Sequence, residues 1–272
     1  MCVERNSPVI LGASHITLGC DDLDASAASL RDYGYVPEFI DRNVINHASK
    51  QPILAEPCAI HGIGLLRSEK GFPIELVSYR DEMPNSFGRY IGVFETTRPI
   101  RAAVEPDFGV SFSGISPDVA SEWVAGAIDD LGAPAFFVRT AQMDAGLQQV
   151  VLPVDNVERA RQLWCDILGF ATISASNVSA ELQFISPVPA WRIRLVLAAA
   201  QLPKVRSTLD ARGMACLSLL SSNVASDVSR MVAGGAQLLT DIFDIPINGR
   251  NLKVAILTDL DGAFVELLQV AR

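Results

Sequence analysis

The sequence predicts an α+β fold: repeated βαβββ modules paired into curved mixed sheets that enclose a cleft, with helices on the outside. Two observations carry this. Ser14-His15-Ile16-Thr17-Leu18 leads into Asp22-Leu23-Asp24 and a helix-like stretch ending Tyr33-Gly34-Tyr35. Gln148-Gln149-Val150-Val151-Leu152 leads into Asp155-Asn156-Val157 and a stretch ending Leu168-Gly169-Phe170. A repeat of this size marks a module that closes its core only against a copy of itself. The second observation is that strand-like runs, broken by turn signals, follow each helix.

In the first module His15 to Gly19 alternates as a strand. Asp22 caps a helix with Leu23, Ala27, Leu30 and Tyr33 at helical spacing, and Gly34 stops it. Strand runs follow at Val36 to Ile40, Ala59 to Leu66 and Pro73 to Tyr79, the last two joined by Glu69-Lys70-Gly71. The long loop Asn43 to Pro57, with His47 and Lys50, is either a lid or a surface excursion. The second module reads as a fragment: a strand over Phe108 to Ile115, a helix from Asp118 carrying Val119, Trp123, Ala127 and Leu131, then Ala135 to Val138 extended. Tyr90 to Glu105 is a connector or supplies unassigned strands.

The third module has a helix Val157 to Ile167 and strands centred on Glu181 to Ile185 and Arg192 to Leu197. The fourth opens at Ala215-Cys216-Leu217-Ser218-Leu219, with a helix across Val224 to Val232 and a strand near Gln237 to Ile242. It closes with Lys253 to Leu257 and Ala263 to Val270, joined through the Asp261-Gly262 turn. Two domains are expected: residues 1–142, holding module one (12–80) and a degenerate module two (108–140), and residues 143–272, holding modules 146–198 and 213–272.

Composition bounds the function. With 272 residues, 49% hydrophobic and 19% charged, the chain has ample core. A net charge of −9 argues against a nucleic-acid surface. The most apolar stretch, Val188 to Ala200, holds Arg192 and Arg194 and is too short to span a membrane. No leader-like apolar run follows Glu4 and Arg5. Five scattered cysteines without CxxC spacing read as reduced thiols of a cytoplasmic protein.

His15-Ile-Thr-Leu with Asp22-Leu-Asp and Tyr-Gly-Tyr, and Leu257-Thr-Asp-Leu-Asp-Gly262 with Val265-Glu266-Leu-Leu, resemble the vicinal oxygen chelate superfamily. Its members include glyoxalase I, methylmalonyl-CoA epimerase, extradiol dioxygenases and bleomycin- or fosfomycin-resistance proteins. The resemblance implies metal ligands on the first and last strand of each module. Carried over by register, the first-strand positions are His15, Ser111, Gln149 and Cys216. The last-strand positions are Glu75, Arg194 and Glu266. Pairing the first module with the last, similar to some hydroquinone-cleaving members, gathers His15, Glu75, Cys216 and Glu266. It leaves Ser111, Gln149 and Arg194 in a site without metal potential. Pairing of neighbouring modules is the alternative.

The resemblance therefore implies a divalent metal (Fe, Mn, Zn, Ni or Co) held by His15, Glu266, Glu75 and, as the weakest member, Cys216, with Glu75 and His15 catalytic; a metal-free site is equally compatible. The function implied is a vicinal-oxygen-chelate-type enzyme acting on a small oxygenated metabolite: an isomerase, lyase or ring-cleaving dioxygenase. Cys216 in place of a second histidine counts against the dioxygenase, unless His61 faces the cleft. The rivals are a metal-free sequestering protein of the bleomycin-resistance type and a metal-free acid/base lyase or cyclase. A small-molecule substrate is the expected partner, with room for a homodimer and without nucleic acid or membrane.

Overall fold

The structure, a computed structural model, describes residues 10–80, 84, 86–97, 111–112, 123–128, 133–140, 146–186, 188, 192–202 and 207–270. Module one runs β1 (Ile10–Gly19), α1 (Leu23–Arg31), β2 (Val36–Ile45), a 3₁₀ turn (Ala48–Ile53), β3 (Ile60–Arg67) and β4 (Ile74–Ser78). Module two supplies β5 (Ile91–Thr96), β6 (Ser111–Phe112), β7 (Trp123–Ile128) and β8 (Ala133–Arg139). Module three is β9 (Gly146–Val154), α2 (Val157–Gln162), β10 (Ala171–Ala175), β11 (Ser179–Gln183) and β12 (Arg194–Gln201). Module four is β13 (Gly213–Ser221), α3 (Val224–Ala233), β14 (Gln237–Leu238), β15 (Phe243–Ile247), β16 (Arg250–Thr258) and β17 (Phe264–Val270). Among the described residues no helix is long and apolar enough to cross a membrane.

The repeated template has a physical basis at both helix ends. Asp22, Asn156 and Asn223 each cap a helix by accepting backbone N–H groups of its first turn. Gly34 and Gly169 both sit at φ 82°, a left-handed conformation that a side chain would strain, and each turns the chain out of its helix. After α2 the helix widens into a π turn over Leu163–Ile167.

Two mixed sheets result. In the first, β1 pairs antiparallel with β13, giving the order β14-β16-β17-β13-β1-β4-β3-β2, with β15 also on β16. In the second, β5 pairs antiparallel with β9, giving β10-β11-β12-β9-β5-β8-β7, with β6 on β12. Module one is thus joined to module four, and module two to module three. Each sheet draws strands from both sides of residue 142.

The apolar residues fall into three clusters. The largest lies between the sheets and takes in the helices, including Leu30, Trp164 and Met231. A second lines the far face of the first sheet, with Val77, Val254 and Leu268. A third lines the equivalent face of the second sheet, with Ile91, Phe136 and Val196.

Module two corrects the expectation. Its first strand is β5, inside the segment Tyr90 to Glu105 expected as a connector or a source of unassigned strands, because Ile91 to Phe94 fills the slot between β9 and β8. Ser111 is therefore not a first-strand residue: it sits in the short β6 against Gln201 of β12. Trp123 and Ala127 lie on strand β7, not on a helix. A glycine at 126 weakens a helix by about 1 kcal/mol, and the ladder to β8 decides the segment. Asp118, Val119 and Leu131 lie outside the described residues.

The two sheets are tied through Tyr35. Its buried hydroxyl donates to the Phe72 carbonyl at 2.7 Å and accepts from the Leu147 amide at 3.0 Å, joining modules one and three. Tyr35→Phe leaves both backbone groups without that partner, and the expected loss is about 1–3 kcal/mol. The midpoint of urea unfolding checks this; an unchanged midpoint would remove Tyr35 as an inter-sheet tie.

Candidate functional site

The site follows from ladder register. Beside β1 lies β4, parallel, with Thr17 opposite Glu75; beside β13 lies β17, parallel, with Ser218 opposite Glu266. The two halves repeat one contact. Thr17 Oγ1 donates to Glu75 at 3.2 Å, and Ser218 Oγ donates to Glu266 at 2.7 Å. Two residues before Thr17 and Ser218 stand His15 and Cys216, each seven residues ahead of its helix cap. Alternation along a strand puts all of them on one face. That face floors a cavity of about 700 Å³, lined by His15, Glu75 and Glu266 and walled by apolar residues such as Ile63, Val77 and Leu268.

His15 sits between the two carboxylates. Its Nε2 is 3.4 Å from Glu75 Oε1 and 3.8 Å from Glu266 Oε2, while Nδ1 meets Ser14 Oγ at 3.0 Å. The residue is 6% exposed, and Nε2 makes no well-aligned hydrogen bond. Burial alone would lower the His15 pKa; the charge of Glu75, then that of Glu266, outweighs it, and the pKa is raised. The carboxylates diverge. Burial pushes Glu75 upward, but His15, Lys50 and the Thr17 hydroxyl hold it below the usual range. Burial and the Glu75 charge push Glu266 up, and Lys50, His15 and Ser218 offset this only in part. Two carboxyl groups driven apart in this way form an acid and a base side by side.

The structure brings His15, Glu75 and Glu266 together. Cys216 stands at the position equivalent to His15, but deep in the apolar cluster of the same face. Burial and the two carboxylates raise its thiol well above the ordinary range.

His61 does face the cavity, from β3. It stacks on Tyr79 with ring centroids 5.2 Å apart, and neither ring nitrogen finds a well-formed partner. Burial, then the charge of Lys50, pushes its pKa down to about 4. The loop expected as lid or excursion contributes Lys50 to the cavity lining. His47 stacks on Phe243 at 4.4 Å, and Lys50, only 8% exposed, points into the lining. In the sequence Lys50 stands out only as a member of that loop.

The second sheet lacks the set. By the same offset from the helix cap, Gln149 corresponds to His15, and its ladder partners place Ile91, Phe136 and Val196 at the other three positions. Arg194 is two residues away from the carboxylate position, half-exposed and paired with Glu181 at 3.4 Å. The cationic group expected there is thus replaced by Val196, and three of the four positions are apolar.

Residues 146–267 match the family described as the Glyoxalase/Bleomycin resistance protein/Dioxygenase superfamily. That match spans nearly all of modules three and four, and the paired βαβββ sheets give the rest of the chain the corresponding fold. Among solved structures, glyoxalase I from Zea mays superposes with a TM-score of 0.58 at 17% identity, covering 97% of this chain and 92% of that one. A candidate dioxygenase from Bacillus subtilis subsp. subtilis str. 168 gives 0.59 at 11% identity, covering 98% and 87%. At such identities the likeness concerns the fold. A comparison with curated proteins returns no match.

The electrostatics give a signed expectation. His15 carries a raised pKa, so its ion pairs contribute stability in full below the ordinary imidazole value of 6.5, lost as pH rises through the higher folded value. In an NMR titration His15 should titrate above 6.5 and His61 near 4. Glu75→Gln should bring His15 down, because the charge that raises it most is then gone. A His15 that titrates unchanged in Glu75→Gln would contradict this account of the site.

Proposed function

We propose that this chain is an enzyme of the superfamily that acts on a small oxygenated organic molecule in the cavity of the first sheet, assisted by a divalent metal. The observation that carries the reading is the buried Nε2 of His15, without a well-aligned hydrogen bond, set between two buried carboxylates at a cavity floor. Metal–ligand bonds of about 2.0–2.2 Å put neighbouring donor atoms roughly 3.0–3.6 Å apart. The separations of 3.4 and 3.8 Å come close to this. Among the described residues no three such donors are closed around one point. His15, Glu75 and Glu266 are gathered without being locked, and as a donor set they suit Fe, Mn, Zn, Ni or Co. The Ser14, Thr17 and Ser218 hydroxyls would orient them from behind. Cys216 would join only as a thiolate, against the burial that keeps it protonated.

Bound there, a metal would polarise adjacent substrate oxygens and stabilise enediolate-like charge. The chain's own contribution is proton handling and exclusion of water. Glu75, held ionised, is the group to accept a proton from a carbon next to a polarised oxygen. Glu266, pushed toward its protonated form, is the group to return one. The apolar walls raise the cost of stray water and strengthen each charge on the floor. The opposed shifts of Glu75 and Glu266 also favour a second reading, metal-free acid/base catalysis by the same residues. The free thiols Cys20, Cys58, Cys165 and Cys216 support a reducing, cytoplasmic setting.

Metal analysis of freshly purified protein tests the first reading. About one first-row ion per chain is expected, with its affinity rising with pH as His15 loses its proton. His15→Ala and Glu266→Gln should each lower occupancy at least tenfold, since a site with positions open to substrate has no protein ligand to spare. Chelated protein that melts unchanged and still turns over substrate would defeat the metal and leave the acid/base pair. Ligand binding without turnover would favour a sequestering protein.

A further inference from the structure

The cavity has a second polar end. Lys50, on the 3₁₀ turn of module one, is 8% exposed and lines the cavity, yet it forms no ion pair with any described residue. Its ammonium is thus held at the cavity with no protein counter-charge in contact, and can meet an anion there. Its charge reaches Glu75, Glu266, His61 and Cys216 across the cavity. None of these is within ion-pair reach.

Beside it lies His61, 2% exposed, with both ring nitrogens buried and unsatisfied. A neutral imidazole presents one donor and one acceptor. Tyr79 backs this ring and also lines the cavity. Glu75, Val77 and Tyr79 are successive same-face residues of one chain segment, so the Lys50–His61 end lies two side-chain steps from the His15 floor. Ile63, Val77, Leu209 and Val254 supply apolar wall. The lining sets Lys50, Arg67 and Arg250 against Glu38, Glu75 and Glu266, and Arg67 pairs with Glu38, so Lys50 is a local positive group within a balanced cavity.

We propose that Lys50 and His61 form an anion-binding pole, and that the cavity takes a hydrophobic carboxylate with its acid group on Lys50 and its apolar body along the walls. The second oxygen function of that molecule would face His15, and only this last clause rests on the functional reading above. A charge-assisted hydrogen bond from Lys50, with His61 donating to the other oxygen, would give the ammonium a counter-charge and one of the two ring nitrogens a partner.

The test uses two fluorescent probes of similar shape: the anionic 8-anilinonaphthalene-1-sulfonate and the neutral N-phenyl-1-naphthylamine. Both are titrated into the full chain with chelator present, so that the result is independent of any metal. Wild type should bind the anion, and Lys50→Met should weaken it about tenfold or more while leaving the neutral probe within about twofold. Lys50→Arg should retain the anion, and His61→Phe should weaken it less than Lys50→Met does. The neutral probe also reports whether each variant keeps its cavity. No binding of the anion to wild type, an unchanged affinity in Lys50→Met, or an equal loss of both probes would overturn the proposal. Because both titrations run with chelator present and read probe binding alone, failure of the metal reading and failure of this one are separable.

Discussion

The antiparallel seam between β1 and β13 sets everything on the cavity floor. His15 faces Ser218 across it and Thr17 faces Cys216. Each of these strands carries its own parallel partner on the outer side, so Glu75 and Glu266 arrive in matching register. Side chains alternate with period two, and a slip of one residue along the seam would send all of these groups to the opposite face. That opposite face is the large core between the sheets, where a bare carboxylate would cost several kcal/mol. Register and burial therefore enforce one another. The seam is kept because the alternative pairing buries charge in hydrocarbon.

The same constraint explains why the second sheet can be built alike and still lack the chemistry. Its β5–β9 seam is equivalent, and its first-strand and last-strand positions are equally well defined. Ile91, Phe136 and Val196 occupy them and merge into one apolar cluster, leaving Gln149 as the polar remnant with an unsatisfied Oε1. Apolar residues there need no compensating hydroxyl or counter-charge. Val93 and Val151 accordingly replace the Thr17 and Ser218 that support the carboxylates in the first sheet. Ligand position and supporting hydroxyl have changed together, as expected if the hydroxyl serves the carboxylate.

Three of the four modules were legible in the sequence because their signals are local. An Asp or Asn cap and an apolar helical stripe act within one helix, and so does the glycine stop after α1 and α2. His15 was legible from its place ahead of the Asp22 cap, and Glu75 and Glu266 from the final-strand phrases Pro73-Ile-Glu-Leu-Val and Val265-Glu-Leu-Leu that the resemblance marks. Module two was not, since its first strand, Ile91–Thr96, reads like any apolar run until β8 and β9 claim it. Trp123 and Ala127 matched a helical spacing by accident, and a cross-strand ladder overrode it. Arg194 was mistaken for a ligand position because Arg-Ile-Arg-Leu-Val looks like Pro-Ile-Glu-Leu-Val; the ladder places Val196 there instead. Lys50 had no local signal of any kind. Its role depends on a loop folding back over a sheet about which neighbouring residues say nothing.

That loop is held from several directions, which bears on how the cavity works. His47 stacks on Phe243 of β15, and the Leu209 amide donates to the Ile53 carbonyl at 2.9 Å. The buried Asp210 accepts from the Ala55 amide at 2.9 Å and pairs with Arg80, which also holds Glu56 at 2.8 Å. Segments from modules one and four thus clamp the turn that carries Lys50, so its ammonium faces the floor without waiting for a ligand. A preformed charge of this kind lowers the ordering cost of binding. It also enters the balance on the floor itself, where Lys50 and His15 together offset the two carboxylates. Removing the Lys50 charge leaves Glu75 and Glu266 with His15 as their compensation, and both would then bind protons more readily. The anion pole and the proton-handling pole share one electrostatic field, and a ligand that neutralises the first necessarily shifts the second.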